Sequence, residues 1–377
     1  MPIYLDCNAT TPLNEEVSKL VKFYFDTEFG NSGSRTHEFG ARAKSAIEIA
    51  RQQVANVVDA QKGEIVFTSG ATESNNLAIL GLEEELKKRG KTHIITTRIE
   101  HKAVLEPCGE MEKRGFRVTY VNTDIKGYVN PQSVIDAISE DTGLISCMYV
   151  NNETGSLFPI EKIADYLDEI DSSIFLHTDA AQGFGKLLEP LKNKRIDFIS
   201  VTAHKIHGPK GVGALVIRRR NFKKPSIKPI MFGGGQEKGL RSGTLPVALI
   251  VGFGKACEIA VEKNISWWSE CKRQKQICLE AIRPLNAIIN GENTLPNIIN
   301  FSIPGVNSEA AIVALKNIIA FSNGSACTSS SYSPSHVLVV MGLSEDNIAG
   351  AMRMSWCPET PDIPWSEIIN ILEDLMR

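Results

Sequence analysis

Two periodicities alternate along the chain. Short runs that are apolar or alternating predict strands at residues 64–67, 93–97, 144–150, 174–178, 196–201 and 213–217. Between them, residues 41–58, 101–114, 131–139 and 160–169 carry apolar side chains at helical spacing, with Ala46, Ile49, Ala50, Val54 and Val57 on one face of the first. Another helix-like region runs from Thr11-Pro12 to about Phe25. Strands alternating with helices predict an α/β fold around a mostly parallel sheet. The Gly-, Ser- and Asn-rich stretches 29–40 and 232–246 read as loops. From about residue 255 the character changes. A long amphipathic helix with Trp267 and Trp268 leads to Ile282 and Leu285, then to a strand at 297–302 and a helix at 308–317, which predicts a smaller α+β unit.

Composition narrows this picture. A chain of 377 residues is too long for one small core. Its 42% hydrophobic and 23% charged residues are ordinary for a globular enzyme. The net charge of −3 demands neither nucleic acid nor an anionic membrane as a direct partner. The basic run at 218–228 therefore reads as a solvated edge loop. No apolar run is long enough to span a membrane, and Met1–Asp6 has no signal core. Eight scattered cysteines without a C-x-x-C pair suggest neither a structural zinc site nor a disulfide framework, so a reducing cytoplasm is expected.

The polar residues at the strand ends carry the chemistry. Lys205, in S-V-T-A-H-K-I-H-G-P-K-G, follows the strand at 196–201 and precedes a Gly/Pro turn. That places it at the carboxyl edge of the sheet, where ligands bind. Alone it would be a surface lysine. With depressed basicity, a lysine there can attack a carbonyl. The strand at 64–67 runs into T-S-G-A-T-E-S, a small-residue turn opening a helix, which suits phosphate. Other strand ends offer His101, Asn152, Asp179 and Gln182. Lysine, carboxylate, ring and phosphate cup on one edge are what pyridoxal 5'-phosphate requires. Asn31, Arg35 and His37 lie in a loop whose composition is that of a plain connection.

The segments T-S-G-A-T-E-S-N-N-L-A, E-H-K-A-V-L, V-N-N-E-T-G, D-A-A-Q, A-H-K-I-H-G-P-K-G-V-G-A-L, R-S-G-T-L-P and G-S-A-C-T-S resemble those of the cysteine desulfurases, in the same order over nearly the whole chain. These are pyridoxal phosphate enzymes of the class V aminotransferase group. The resemblance implies fold type I, with a large seven-stranded-type sheet domain at 13–255 and a small domain from 1–12 and 256–377. It makes Lys205 the Schiff-base lysine, His101 the stacking residue and Asp179 the partner of the pyridine nitrogen. It gives Ala71, Thr72, Thr202 and His204 to the phosphate, Asn152 and Gln182 to the ring, and Thr244 to the phosphate of the other subunit of a homodimer. Arg353 and Asn31, with Asn152, would bind L-cysteine. Cys327 would take its sulfur as a persulfide for an acceptor protein, releasing alanine, and could transiently ligate an iron–sulfur cluster. Thr202 stands where the family has serine and keeps the hydroxyl. The motif L-D-C-N-A-T-T-P is similar to the branch serving DNA phosphorothioate modification. The chain ends soon after Met354, so no long acceptor-docking tail is expected. Alternatives are a selenocysteine lyase, another class V enzyme, or a non-catalytic sulfur-transfer scaffold.

Overall fold

The computed structural model describes residues 1–323 and 334–376. In chain order the strands are β1 (Ile3–Tyr4), β2 (Ile65–Thr68), β3 (His93–Thr97), β4 (Arg117–Val121), β5 (Thr142–Ser146), β6 (Phe175–Asp179), β7 (Phe198–Thr202), β8 (Gly213–Ile217), β9 (Ile288–Ile289), β10 (Ile298–Ser302), β11 (Ile319–Ala320) and β12 (Ala351–Ser355). Seven of them form one sheet in the order β2-β8-β7-β6-β5-β3-β4. All neighbours are parallel except β8, which is antiparallel to both β2 and β7.

The inner strands β3, β5, β6, β7 and β8 are buried along their whole length. Helices cover both faces, which is why these strands read as nearly continuous apolar runs. One apolar cluster lies on each side. The helix Ala71–Leu80 packs on β7 and β8 beside Lys102–Lys113. On the other face, Glu38–Val57 packs against Val247–Glu262, which also contacts Glu15–Asp26. A separate apolar core joins Leu5, Cys278, Ile299, Phe301, Met352, Trp356 and Ile368. It sits on the antiparallel sheet β12-β10-β9 and on the parallel pair β1-β11.

Several elements differ from the sequence reading. The edge strand β4 escapes the hydrophobic pattern because only Val121 of it is buried. The first long helix begins at Glu38 inside the expected loop, because His37 accepts from Gly40 N at its start. The expected long helix after residue 255 is two helices, Val247–Glu262 and Asn264–Ile282, meeting at Lys263. The basic run is not merely solvated. Buried Arg218 donates to the carbonyls of Val58 (2.6 Å) and Leu191 (2.7 Å), and Arg220 grips Asp197 at 2.6–2.7 Å. The glycine-rich loop is anchored too. Buried Glu237 takes two 2.7 Å bonds from Arg51 and one of 2.8 Å from Phe67 N.

Candidate active site

At the carboxyl edge of the large sheet the strand ends open into a cavity of about 580 Å³. It is lined by Lys205, Asp179, His101, Gln182, Asn152, Thr202, His204, Ala71, Thr72 and Arg353, among others. Residues far apart in sequence meet here because parallel strands all end on the same side.

Lys205 follows β7 through a single 3₁₀ turn, Ala203–Lys205. Its Nζ donates to the carbonyls of Asn8 and Ala9 (the latter at 2.7 Å). A segment at the amino terminus therefore holds the amine in place. Asp179 ends β6. Its Oδ2 accepts from Asn75 Nδ2 at 2.7 Å and its Oδ1 from Ala181 N at 2.9 Å. The carboxylate is thus fixed on both sides, with no cation in contact among the described residues. His101 caps the helix Lys102–Lys113, with Nδ1 accepting from Ala103 N at 3.1 Å. Burial pushes its pKa down, Lys205 adds to this, and Asp179 opposes it. Because Nδ1 accepts a backbone N–H, the ring's proton sits on Nε2. Burial, and then Lys205, also lower His204 to about 4, and its Nδ1 lies 3.2 Å from Thr10 Oγ1. Beside these, burial raises the Glu100 carboxyl to about 8, although Met148 N (2.7 Å) and Thr97 Oγ1 (2.8 Å) donate to it.

The phosphate end is built from backbone. The helix Ala71–Leu80 has Gly70 as its N-cap and hence no capping side chain over its first N–H groups. A Cβ on Gly70 would point at Thr202 Oγ1, 3.7 Å away. Arg353 enters from β12. Its guanidinium donates to Asp6 Oδ1 (2.7 Å) and Asn152 O (3.1 Å). Its Nε has no partner among the described residues.

Two acceptors around the cavity are also buried and unpaired among the described residues: Asn8 Oδ1 and Gln182 Oε1. Burying such atoms unpaired is costly, so they point to a polar ligand. A cation-free carboxylate, a tethered amine, a neutral imidazole and an uncapped helix start match the pyridine, aldehyde, ring face and phosphate of pyridoxal phosphate. The residues present fit the coenzyme.

Asn31 and Thr244 lie outside the cavity lining and are exposed. Cys327 lies outside the described residues. One flank of its segment is tied to a lining residue and the other to neighbours of lining residues Asn152 and His101. Ser322 pairs with Arg353 across the backbone, Ser335 donates to Glu153, and His336 Nε2 donates to Glu100 O at 3.0 Å. Sequence reasoning missed Asn8, Thr10 and Asn75. Only Asn75 left a signal, as a carboxamide on the apolar face of a helix.

The fold and site define a pyridoxal phosphate-dependent enzyme of fold type I. The chain belongs to the aminotransferase class-V family, whose profile matches residues 3–362. It is 46% identical over 359 residues to the cysteine desulfurase IscS of Buchnera aphidicola subsp. Baizongia pistaciae, covering 94% of this chain and 87% of that protein. Among solved structures, DndA from Streptomyces lividans superposes with a TM-score of 0.82 at 42% identity, covering 93% of this chain and 98% of that one. SspA in complex with cysteine superposes with a TM-score of 0.83 at 38% identity, covering 95% and 100%.

Proposed function

We propose that this enzyme is a cysteine desulfurase: it converts L-cysteine to L-alanine and passes the sulfur, as a Cys327 persulfide, to an acceptor protein. The observation that carries the reading is one cavity holding Lys205, Asp179, His101 and Arg353, with one flank of the Cys327 segment paired to Arg353 and the other bonded next to His101. Lys205 would hold the coenzyme through its amine, with Asp179 at the pyridine nitrogen and His101 on the ring face. Ala71, Thr72, Thr202 and His204 would hold the phosphate, with Asn152 and Gln182 beside the ring. When bound, pyridoxal phosphate supplies an electron-withdrawing ring that labilises bonds at the substrate's α-carbon.

Arg353 suits the substrate carboxylate, since its planar fork is already oriented by Asp6 and Asn152. Lys205, once free, is the base that moves protons to and from the substrate. Cys327 as thiolate attacks the substrate sulfur. An S–S bond forms, the C–S bond breaks, and the electron pair stays with the carbon skeleton, which is protonated to alanine. Thr244 and Asn31 lie at the surface, where a second subunit could bring them to its own or its partner's site; a homodimer is part of this reading. No helix among the described residues is long and apolar enough to cross a membrane, and the seven described cysteines are free thiols, which suits a reducing cytoplasm.

Borohydride reduction followed by peptide mapping tests the core of this. The pyridoxyl tag should sit on Lys205, and Lys205→Ala should cut alanine formation by at least about 10²-fold. Cys327→Ser should lose persulfide and alanine together when cysteine is the substrate. Sulfide release at the wild-type rate from that variant would instead favour a lyase that needs no protein thiol. Capture of sulfur-labelled acceptors by wild type and not by Cys327→Ser would name the pathway.

A further inference from the structure

On the far side of the Lys205 loop, a ring nitrogen of His207, Sγ of Cys357 and a carboxylate oxygen of Glu359 lie within 4.8 Å of one another. Among the described residues they are the only such group of three. They come from two places, the loop after Lys205 and the turn after β12. His207 and Cys357 are buried, while Glu359 reaches in from the surface.

The histidine is already oriented as a metal ligand. Its Nδ1 faces Pro12 O at 3.1 Å, and a carbonyl can only accept, so Nδ1 carries the proton. Trp267 packs on the ring at 5.0 Å between centroids. Nε2 lies 3.9 Å from the carboxylate of Glu359. The backbone at His207 is left-handed, with φ 63°. Cys357 is held from the other side. Its sulfur accepts from Thr360 Oγ1 at 3.6 Å. A ring nitrogen, a sulfur and a carboxylate oxygen thus converge.

We propose that His207, Cys357 and Glu359 bind one zinc-class divalent cation, at a site distinct from the coenzyme cavity. Nitrogen, thiolate and carboxylate are the ligand types zinc prefers, in a tetrahedron whose ligand atoms are about 3.3–3.6 Å apart. Nε2 of His207 is 3.9 Å from the Glu359 carboxylate and the group spans up to 4.8 Å, so ion binding requires the half-exposed Glu359 side chain to close in. A cleft of about 470 Å³, lined by Cys7, His207, Cys357 and Glu359, opens on the same side and provides entry and a position for water. Three protein ligands and one open position make this an exchangeable site rather than a closed structural one. A bound ion would clamp the loop carrying Lys205 to the turn after β12. The competing counter-charge is Lys186, whose buried Nζ has no hydrogen-bond partner among the described residues and shares a small cavity with Cys357.

The test uses holoenzyme in a Cys327→Ser background, which removes the other candidate thiol ligand. Cobalt(II) is titrated as the probe, with zinc competition to follow. One equivalent should produce a thiolate-to-cobalt charge-transfer band that zinc abolishes. Cys357→Ser should remove the band. Glu359→Gln, an exposed change that should not disturb folding, should weaken binding by at least the about 10–100-fold that loss of an outer-shell partner costs. If Cys357→Ser does not fold, Glu359→Gln decides alone. Absence of the band, as expected if Lys186 is the counter-ion, overturns the proposal. So does a band that Glu359→Gln leaves unchanged.

Discussion

His177 sits directly beneath the cavity on β6, buried between Ser146 Oγ (2.7 Å) and Ser200 Oγ (3.0 Å). Burial lowers its pKa to about 3, from 6.5 in an open chain. Because the folded value is depressed, the unfolded chain binds more protons between those limits. Stability from this ring is complete above pH 6.5 and is lost as pH falls toward 3. Between pH 6.5 and 5 the ring should cost about 1.5–2 kcal/mol. Urea unfolding of wild type and His177→Gln at the two pH values measures it, and the variant should lose that part of the pH dependence. Single residues were also where the sequence was least legible. Lys205, Asp179 and His101 stand in recognisable strings at strand ends. Asn75 does not, because its meaning comes from Asp179, 104 positions away, and no local pattern records that bond. Asn8 is similar: its carbonyl holds Lys205 although 197 positions separate them.

Among elements, the buried strands were the most legible, since two covered faces leave an apolar run that period and length identify. The edge strand β4 was not, since its exposed positions hide the pattern. Nor was the break at Lys263, where neither proline nor glycine marks the junction of two helices. The antiparallel insertion of β8 was also silent, and it shapes the site. A Cβ on Gly213 would come within 2.4 Å of Val201 O and 2.7 Å of Gly70 Cα, so β8 runs against the turn that opens the helix Ala71–Leu80. Both contacts are backbone and cannot swing aside. Gly213→Ala should cost about 1–3 kcal/mol by overpacking and displace the helix start. Urea midpoints would show the first effect. Weaker coenzyme retention on gel filtration would show the second, whereas retention equal to wild type would separate strand packing from the phosphate cup.

At the scale of the whole molecule, the cavity lies where β12 of the small sheet meets the large sheet with its two flanking apolar clusters, and the surface is not uniformly polar. Phe23, Phe25, Phe29 and Phe39 are all exposed, and Phe29 stacks on Phe39 at 5.5 Å between centroids. Aromatic surface of this kind favours association. Light scattering should give twice the mass of one chain. A double substitution, Phe29→Asp with Phe39→Asp, should shift the protein toward single chains and lower activity if Thr244 serves the neighbouring site. Activity per chain that does not change with dissociation would show that each subunit's site is self-sufficient. The segment Leu5–Ala9 crosses the seam between the cores. Leu5 N bonds Ala320 O at 2.7 Å, Asp6 anchors Arg353, and Asn8 N bonds Ser355 Oγ at 2.8 Å. Two of these ties span 347 positions in sequence, so this wall of the pocket closes only once widely separated stretches of the chain have met, and loosening either stretch should open the floor under Lys205 and Arg353 together.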